Sequence, residues 1–230
     1  MVIFGTGRNL IDSDASPSTP TIESFYGVWD NSSYSAAGTG VSITDSTVIN
    51  NTASTTLPST LVQQTVVSSV TDSGVVYNAS SMNNVVYSTG SGTKRGWYLD
   101  LILSTNERAL ASPSLFDGNR VLLPSIVPKS GASSANESCT ASSSAETSYF
   151  YILDMFTGKR TSGDLFDIAT ATSTPPNIIA MVGDGGSLIQ DQLSPNIYAV
   201  PPCPPGQKCD MTEFKVNALK GRRVSWRKKQ

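Results

Sequence analysis

Residues 148–160 read S-Y-F-Y-I-L-D-M-F-T-G-K-R. Tyr149, Tyr151 and Leu153 fall on alternate positions, the period of two that a β-strand imposes. Asp154 ends the run, and Thr157-Gly158-Lys159 follows it. An Asp carboxylate collects nearby turn N–H groups, and Gly takes positive φ at no steric cost, so these residues reverse the backbone tightly. A strand closed by such a turn belongs in a sheet. It constrains an architecture more firmly than a chemistry.

The rest of the chain is β-prone in the same way. Val, Ile, Thr, Tyr, Gly and Pro recur, while helix-favouring stretches rich in Ala, Leu, Glu and Lys are missing. Residues 1–7 read as a strand ending in Gly-Thr-Gly, residues 8–23 as a polar loop, and residues 24–30 (S-F-Y-G-V-W-D) as a strand. Residues 39–56 alternate weakly, as an irregular insertion or a hairpin would. In residues 60–70, spacing leaves strand and short helix open, and the valines favour strand. Residues 74–77 and 84–87 are read as a hairpin, and residues 96–103 (G-W-Y-L-D-L-I-L) as the strongest strand of the middle. Residues 107–116 and 119–127 read as hairpin arms, with Asp117-Gly118 suited to a type I′ turn. The low-complexity stretch 130–147 is expected as an exposed loop. Residues 177–182 and 187–189 flank Gly183-Asp184-Gly185-Gly186, read as a hairpin turn rather than a phosphate cradle because no Lys-Ser/Thr pair follows. Residues 211–216 and 223–226 are the last expected strands. Short strands at this spacing indicate a sandwich or a propeller, and about 40–50 residues per blade would allow about four or five blades.

Charged residues make up 15% and Ser plus Thr roughly a quarter, a bias expected of an extracellular protein. The net charge of −2 gives no reason to expect nucleic acid as a partner. The basic end (Lys220, Arg222, Arg223, Arg227, Lys228, Lys229) reads as solvated. No stretch is apolar for long enough to form a transmembrane helix. Residues 1–5 lack the basic leader and apolar core of a signal peptide, so an export signal is expected upstream. Histidine is absent and there are three cysteines, which leaves zinc poorly supported. Cys203 and Cys209 sit in a proline-stiffened loop, residues 200–210. They are favoured as a disulfide over any pair with Cys139, though the sequence leaves all the pairings open.

The strand-turn unit at 148–160 resembles that of quinoprotein-type β-propeller repeats. Further segments follow in order: Ile3-Phe4-Gly5-Thr6-Gly7-Arg8, Ser24-Phe25-Tyr26-Gly27-Val28-Trp29-Asp30, and Lys94-Arg95-Gly96-Trp97-Tyr98-Leu99-Asp100-Leu101. Asn106-Glu107-Arg108 through Ser112-Pro113, Cys139 ahead of Y-I-L-D-x-x-T-G-K, and Gly221-Arg222-Arg223-Val224-Ser225-Trp226-Arg227 complete the set. Together, over nearly the whole chain, they resemble the PilC/PilY family of type IV pilus tip-associated adhesin and biogenesis proteins. The resemblance implies an all-β, modified quinoprotein-like β-propeller, here a partial ring or C-terminal fragment, with residues 1–230 as the C-terminal part of that domain. It implies export to the outer membrane surface or pilus tip, with minor pilins and other pilus components as partners. Support of pilus assembly and twitching motility follows, with attachment to host or abiotic surfaces in some members.

The family's calcium loop has D-x-[DN]-x-[DN]-G character. Asp12, Asp14, Ser16 and Glu23 stand at positions one, three, five and twelve of the nearest segment, where oxygen ligands wrap a hard cation. Pro17 takes the place of the turn glycine, so a solvated loop is the expectation here. No cofactor is expected within this segment, and the calcium of the longer protein is expected upstream of Met1. Trp29, Trp97 and Trp226 are expected to pack between sheets rather than to form ligand platforms. The sequons at Asn31, Asn50, Asn78 and Asn136 are expected by chance in so Ser/Thr-rich a chain. Quinoprotein enzymes hold a quinone and calcium, often against a vicinal disulfide. This chain has no adjacent cysteines and no histidine to act as a general base near neutral pH. Asp154 is assigned to its turn, and Asp164 and Asp167 to a polar loop. No catalytic residue is expected and the reading is non-enzymatic; a quinoprotein-like enzyme or remnant, and a directly adhesive module, are the alternatives. The open strand edges of an incomplete ring are expected to pair with another chain.

Overall fold

A computed structural model describes residues 1–7, 14, 19–30, 34–43, 60–72, 75–87, 94–128, 147–161, 164–166, 168–182, 187–190, 196–200 and 212–215. Its strands are β1 (Val2–Gly5), β2 (Ser24–Val28), β3 (Tyr34–Ala37), β4 (Gly40–Ile43), β5 (Val62–Gln64), β6 (Val66–Asp72), β7 (Val75–Ser80) and β8 (Gly96–Asp100). There follow β9 (Ser114–Asp117), β10 (Arg120–Val127), β11 (Thr147–Asp154), β12 (Ile178–Val182), β13 (Ser187–Gln190), β14 (Asn196–Val200) and β15 (Thr212–Lys215). They form sheets ordered β1-β2-β8-β5, β6-β7-β12-β11-β10-β9, β13-β14-β15 and β3-β4.

The two largest sheets share a core. Tyr149, Tyr151 and Leu153 of β11 pack with Phe25, Trp97 and Leu99 of the four-stranded sheet, and with Val121, Leu123 and Ile178. Phe25 meets Tyr151 edge-on, with ring centroids 5.4 Å apart. The alternation predicted at 149–153 is therefore the face between the sheets. The opposite face of β11 is also buried: Ile152 joins Tyr77, Ile179, Leu165 and Phe166. Two covered faces make β11 continuously apolar, as a strand in the middle of a sheet requires. β12 lies between β7 and β11, joining the first strands of this sheet to the last.

Four local expectations are corrected. Residues 84–87 form no strand, and β7 pairs instead with β6 and β12. The side chain of Gln64 occupies the segment after β7, taking the N–H of Asn83 and the hydroxyl of Ser81, so that segment does not turn back on β7. The arm predicted over 107–116 is broken: Arg108 makes an isolated bridge to Ile126, and strand resumes at Ser114, after Pro113, which has no N–H to donate. Pro124 of β10 is tolerated because its nitrogen faces the gap between that bridge and the end of β9. The reversal lies at Gly118-Asn119, with Arg120 opposite Asp117. Gly118 has φ 58° and Asn119 is not at positive φ, so the turn is not type I′. Lastly, β12 does not pair with β13: both its edges are taken, and β13 pairs with β14, a strand not anticipated at 196–200.

Candidate functional site

The reversal after β11 is held by both large sheets. Asp154 Oδ1 accepts from the N–H of Phe156 (3.0 Å), the N–H of Thr157 (2.8 Å) and the Thr157 hydroxyl (2.8 Å), and Oδ2 accepts from Asn119 Nδ2. Gly158 sits at φ 64°, where a Cβ would lie 2.3 Å from the Trp97 ring. The same ring lies against Gly27, whose added Cβ would come within 2.3 Å of it, and its Nε1 donates to Met155 O at 3.1 Å. Trp97 is completely buried, so it packs between sheets as expected. Gln64, also fully buried, donates to Thr157 O and Asn83 O and accepts from Ser81 Oγ and Asn83 N. All its polar capacity is used within the protein.

This fixed turn carries an outward surface. Phe156 is exposed, and its carbonyl accepts from the Tyr87 hydroxyl. Tyr87 packs edge-on against Trp29 with centroids 5.1 Å apart, and Lys159 Nζ donates to Asn84 Oδ1. Val86 and Met82 on the adjoining segment are exposed as well. Burial, reinforced by the negative charge of Asp154, pushes the Tyr87 phenol up to about 12, so it stays protonated and donating at neutral pH. The result is an apolar and aromatic surface beside Lys159, built where two remote segments meet.

Farther along β10 and β11 from this turn lies a buried acid. Glu107, 1% exposed, accepts from Ser125 Oγ and Tyr151 OH (2.6 Å) on Oε1 and from Leu103 N (3.1 Å) on Oε2. Burial raises its carboxyl above the usual range, partly offset by these hydrogen bonds. Asn106 before it has φ 66°, and its Oδ1 accepts from Arg108 Nη2 at 2.6 Å. The sequence marks Asn106-Glu107-Arg108 as part of the family resemblance and residue 107 as the start of a hairpin arm, with no separate role for Glu107. In the structure Glu107 ties its loop to β10 and β11, and it has no exposed oxygen to offer a substrate.

Of the cation candidates, Asp14 is buried and Glu23 accepts from the Thr21 hydroxyl at 3.1 Å, while Asp12 and Ser16 lie outside the described residues. Among the described residues, no three Cys, Asp or Glu side chains gather as a metal would require. Cys203, Cys209, Cys139, Trp226 and the glycine turn 183–186 also lie outside them. Asn78 is 5% exposed within β7, which agrees with a sequon arising by chance. No described helix is long and apolar enough to cross a membrane.

No family model matches the chain. Over 172 residues, 74% of its length, it is 29% identical to the type IV pilus biogenesis factor PilY1 of Pseudomonas aeruginosa, in each of two strains. The chain is similar in sequence to PilY1. It spans 13% of the length of those PilY1 proteins. Its structure is similar to the crystal structure of the Pseudomonas aeruginosa PilY1 C-terminal domain, with TM-score 0.55 and 22% identity, over 94% of this chain and 41% of that one. The fold is thus all-β and that of the PilY1 C-terminal domain, a β-propeller, and none of its described sheets closes on itself.

Proposed function

We propose that the chain serves type IV pilus biogenesis as a non-enzymatic scaffold, contacting minor pilins or other pilus components through the surface around Phe156, Tyr87, Trp29 and Lys159. The observation that carries this reading is the likeness to PilY1 in sequence and in fold together. The geometry supports a scaffold: Asp154, Gln64 and Glu107, the best-placed polar groups, are spent on holding loops to sheets. On this reading the protein is exported to the outer membrane surface or pilus tip, supports pilus assembly and twitching motility, and has any calcium site of the longer protein upstream.

The test is surface-pilus abundance after deletion of the gene, with and without the retraction motor. Pili lost only where retraction operates support a role in assembly or against retraction. Unchanged pili in both backgrounds remove the pilus role. Beads coated with the purified chain that attach to host or abiotic surfaces would add adhesion; unattached beads would assign adhesion elsewhere.

A further inference from the structure

The turn after β11 runs alongside the segment that follows β7, in the opposite direction. The Phe156 carbonyl accepts from the Tyr87 hydroxyl, Lys159 Nζ donates to Asn84 Oδ1, and Arg160 N donates to Ser81 O at 3.4 Å. Phe156 and Tyr87 therefore mark one end of a strip, and Arg160 and Ser81 the other. From Ser81 to Tyr87 the chain spans at most about 20 Å, the reach of an extended peptide of about six residues.

The two ends differ in chemistry. At the Tyr87 end, exposed Phe156 and Val86 join the Trp29–Tyr87 pair in an apolar surface. Asp30 follows Trp29 there, and Trp29 N donates to Arg95 O at 2.7 Å, which brings Lys94 and Arg95 to the same end. At the Ser81 end, Arg160 is half-buried, and its Nη1 is buried without a hydrogen-bond partner. Lys159 beside it donates to a neutral amide oxygen. Among the described residues, neither of these two cations is paired with a carboxylate. Asp154, the acid of the turn itself, is spent on Phe156, Thr157 and Asn119.

A buried donor on a charged group is costly without an acceptor. Asp154 and Gly158 already close this turn, so its geometry does not explain the orphan on Arg160. A guanidinium presents two parallel N–H groups to one carboxylate, and rotation of its long stem brings Nη1 to an acceptor arriving from solvent. Resting on the reading of this surface as a contact site for pilus components, we infer that the partner lays a short extended segment along the strip, with an apolar side chain on Phe156 and an Asp or Glu carboxylate on Arg160. Two adjacent cations facing one committed acid supply the charge complementarity. The apolar end selects a peptide over a bare anion.

The experiment is fluorescence anisotropy of the full chain with fluorescein-labelled hexapeptides. Each carries one Phe and one Glu in a Ser background, every pair of positions is sampled, and each has a Gln counterpart. The Glu peptides that bind should do so roughly tenfold or more tighter than their Gln counterparts, and added salt should erode the difference. In Arg160→Gln the preference for Glu should vanish, whereas Phe156→Ser should weaken Glu and Gln peptides alike. Circular dichroism checks that both variants fold. No peptide bound, Glu and Gln peptides bound equally, or a Glu preference that survives in folded Arg160→Gln each overturn the proposal. Phosphatidylglycerol vesicles bound where no peptide is would overturn it in favour of a lipid surface. Should Arg160→Gln fail to fold, Arg160→Lys, which keeps the charge and loses the fork, must lower the Glu preference. The deletion experiment separates this proposal from the reading it rests on. Pili lost while no peptide binds remove the carboxylate and keep the pilus role; Glu-selective binding with pili unchanged keeps the site and removes the pilus role.

Discussion

Replacing Gly158 by Ala tests whether the turn after β11 is clamped or merely adjacent to Trp97. Gly158 has φ 64°, and an L side chain in the left-handed region costs about 1–2 kcal/mol. The new Cβ would lie 2.3 Å from Trp97 Cδ2 and 2.5 Å from Cε3. The indole cannot retreat, because Gly27 backs it and the ring is completely buried. Overpacking of this kind costs about 1–3 kcal/mol. Displacing the ring also breaks the Trp97–Met155 hydrogen bond, worth about 1 kcal/mol. The sum, about 3–6 kcal/mol, is a large part of the roughly 5–15 kcal/mol of a typical domain. Gly38→Ala is the control: φ is 60° there, but nothing lies within 4 Å of the added Cβ, so it should cost no more than about 1–2 kcal/mol. Urea unfolding followed by circular dichroism gives both values, and tryptophan emission should shift to the red in Gly158→Ala alone. Equal, small losses for the two variants, with emission unchanged, would refute the clamp.

Glu107 supplies a pH signature. Its folded pKa lies above the ordinary 4.5, so the folded state holds the proton more tightly than the unfolded chain. Its contribution to stability is therefore full below 4.5 and is lost as pH rises through the raised value. In Glu107→Gln that component vanishes, and denaturation measured from pH 4 to 8 should show wild type gaining on the variant as pH falls; parallel profiles would contradict the assignment. Gln64→Ala strands the partners of four hydrogen bonds at a buried site and should destabilise by about 2–4 kcal/mol in the same urea assay. A loss under about 1 kcal/mol would mean that water replaces the side chain freely.

The parts of the fold that were legible in the sequence are those decided locally. The alternation at Tyr149, Tyr151 and Leu153 and the Asp154–Gly158 reversal stand as read, because strand period and turn chemistry act over a few residues. The burial of Trp97 was also foreseen. Pairing was harder. Residues 74–77 and 84–87 have the local look of two arms, but Gln64, from an earlier strand, engages the residues between them. Residues 177–182 and 187–189 flank a glycine-rich turn, yet β12 is claimed on both sides by strands far from it in sequence. Glu107 was invisible as a latch for the same reason: Ser125 and Tyr151 stand 18 and 44 residues away, and no spacing rule links them. The surface around Phe156 and Tyr87 likewise exists only because two remote segments meet.

The position of β12 sets an order of events during synthesis. Asn177, at its start, bonds to Ser80, 97 residues earlier, and β12 separates β7 from β11 in the finished sheet. Until residues 178–182 leave the ribosome, the pair β6–β7 and the strands β9–β10–β11 are two half-sheets, each with a hydrogen-bonding edge waiting for the same late strand. Contacts this distant form slowly. A nascent chain stalled or truncated before Ile178 would therefore present two sticky ribbons, while a chain released a few residues later could close both at once.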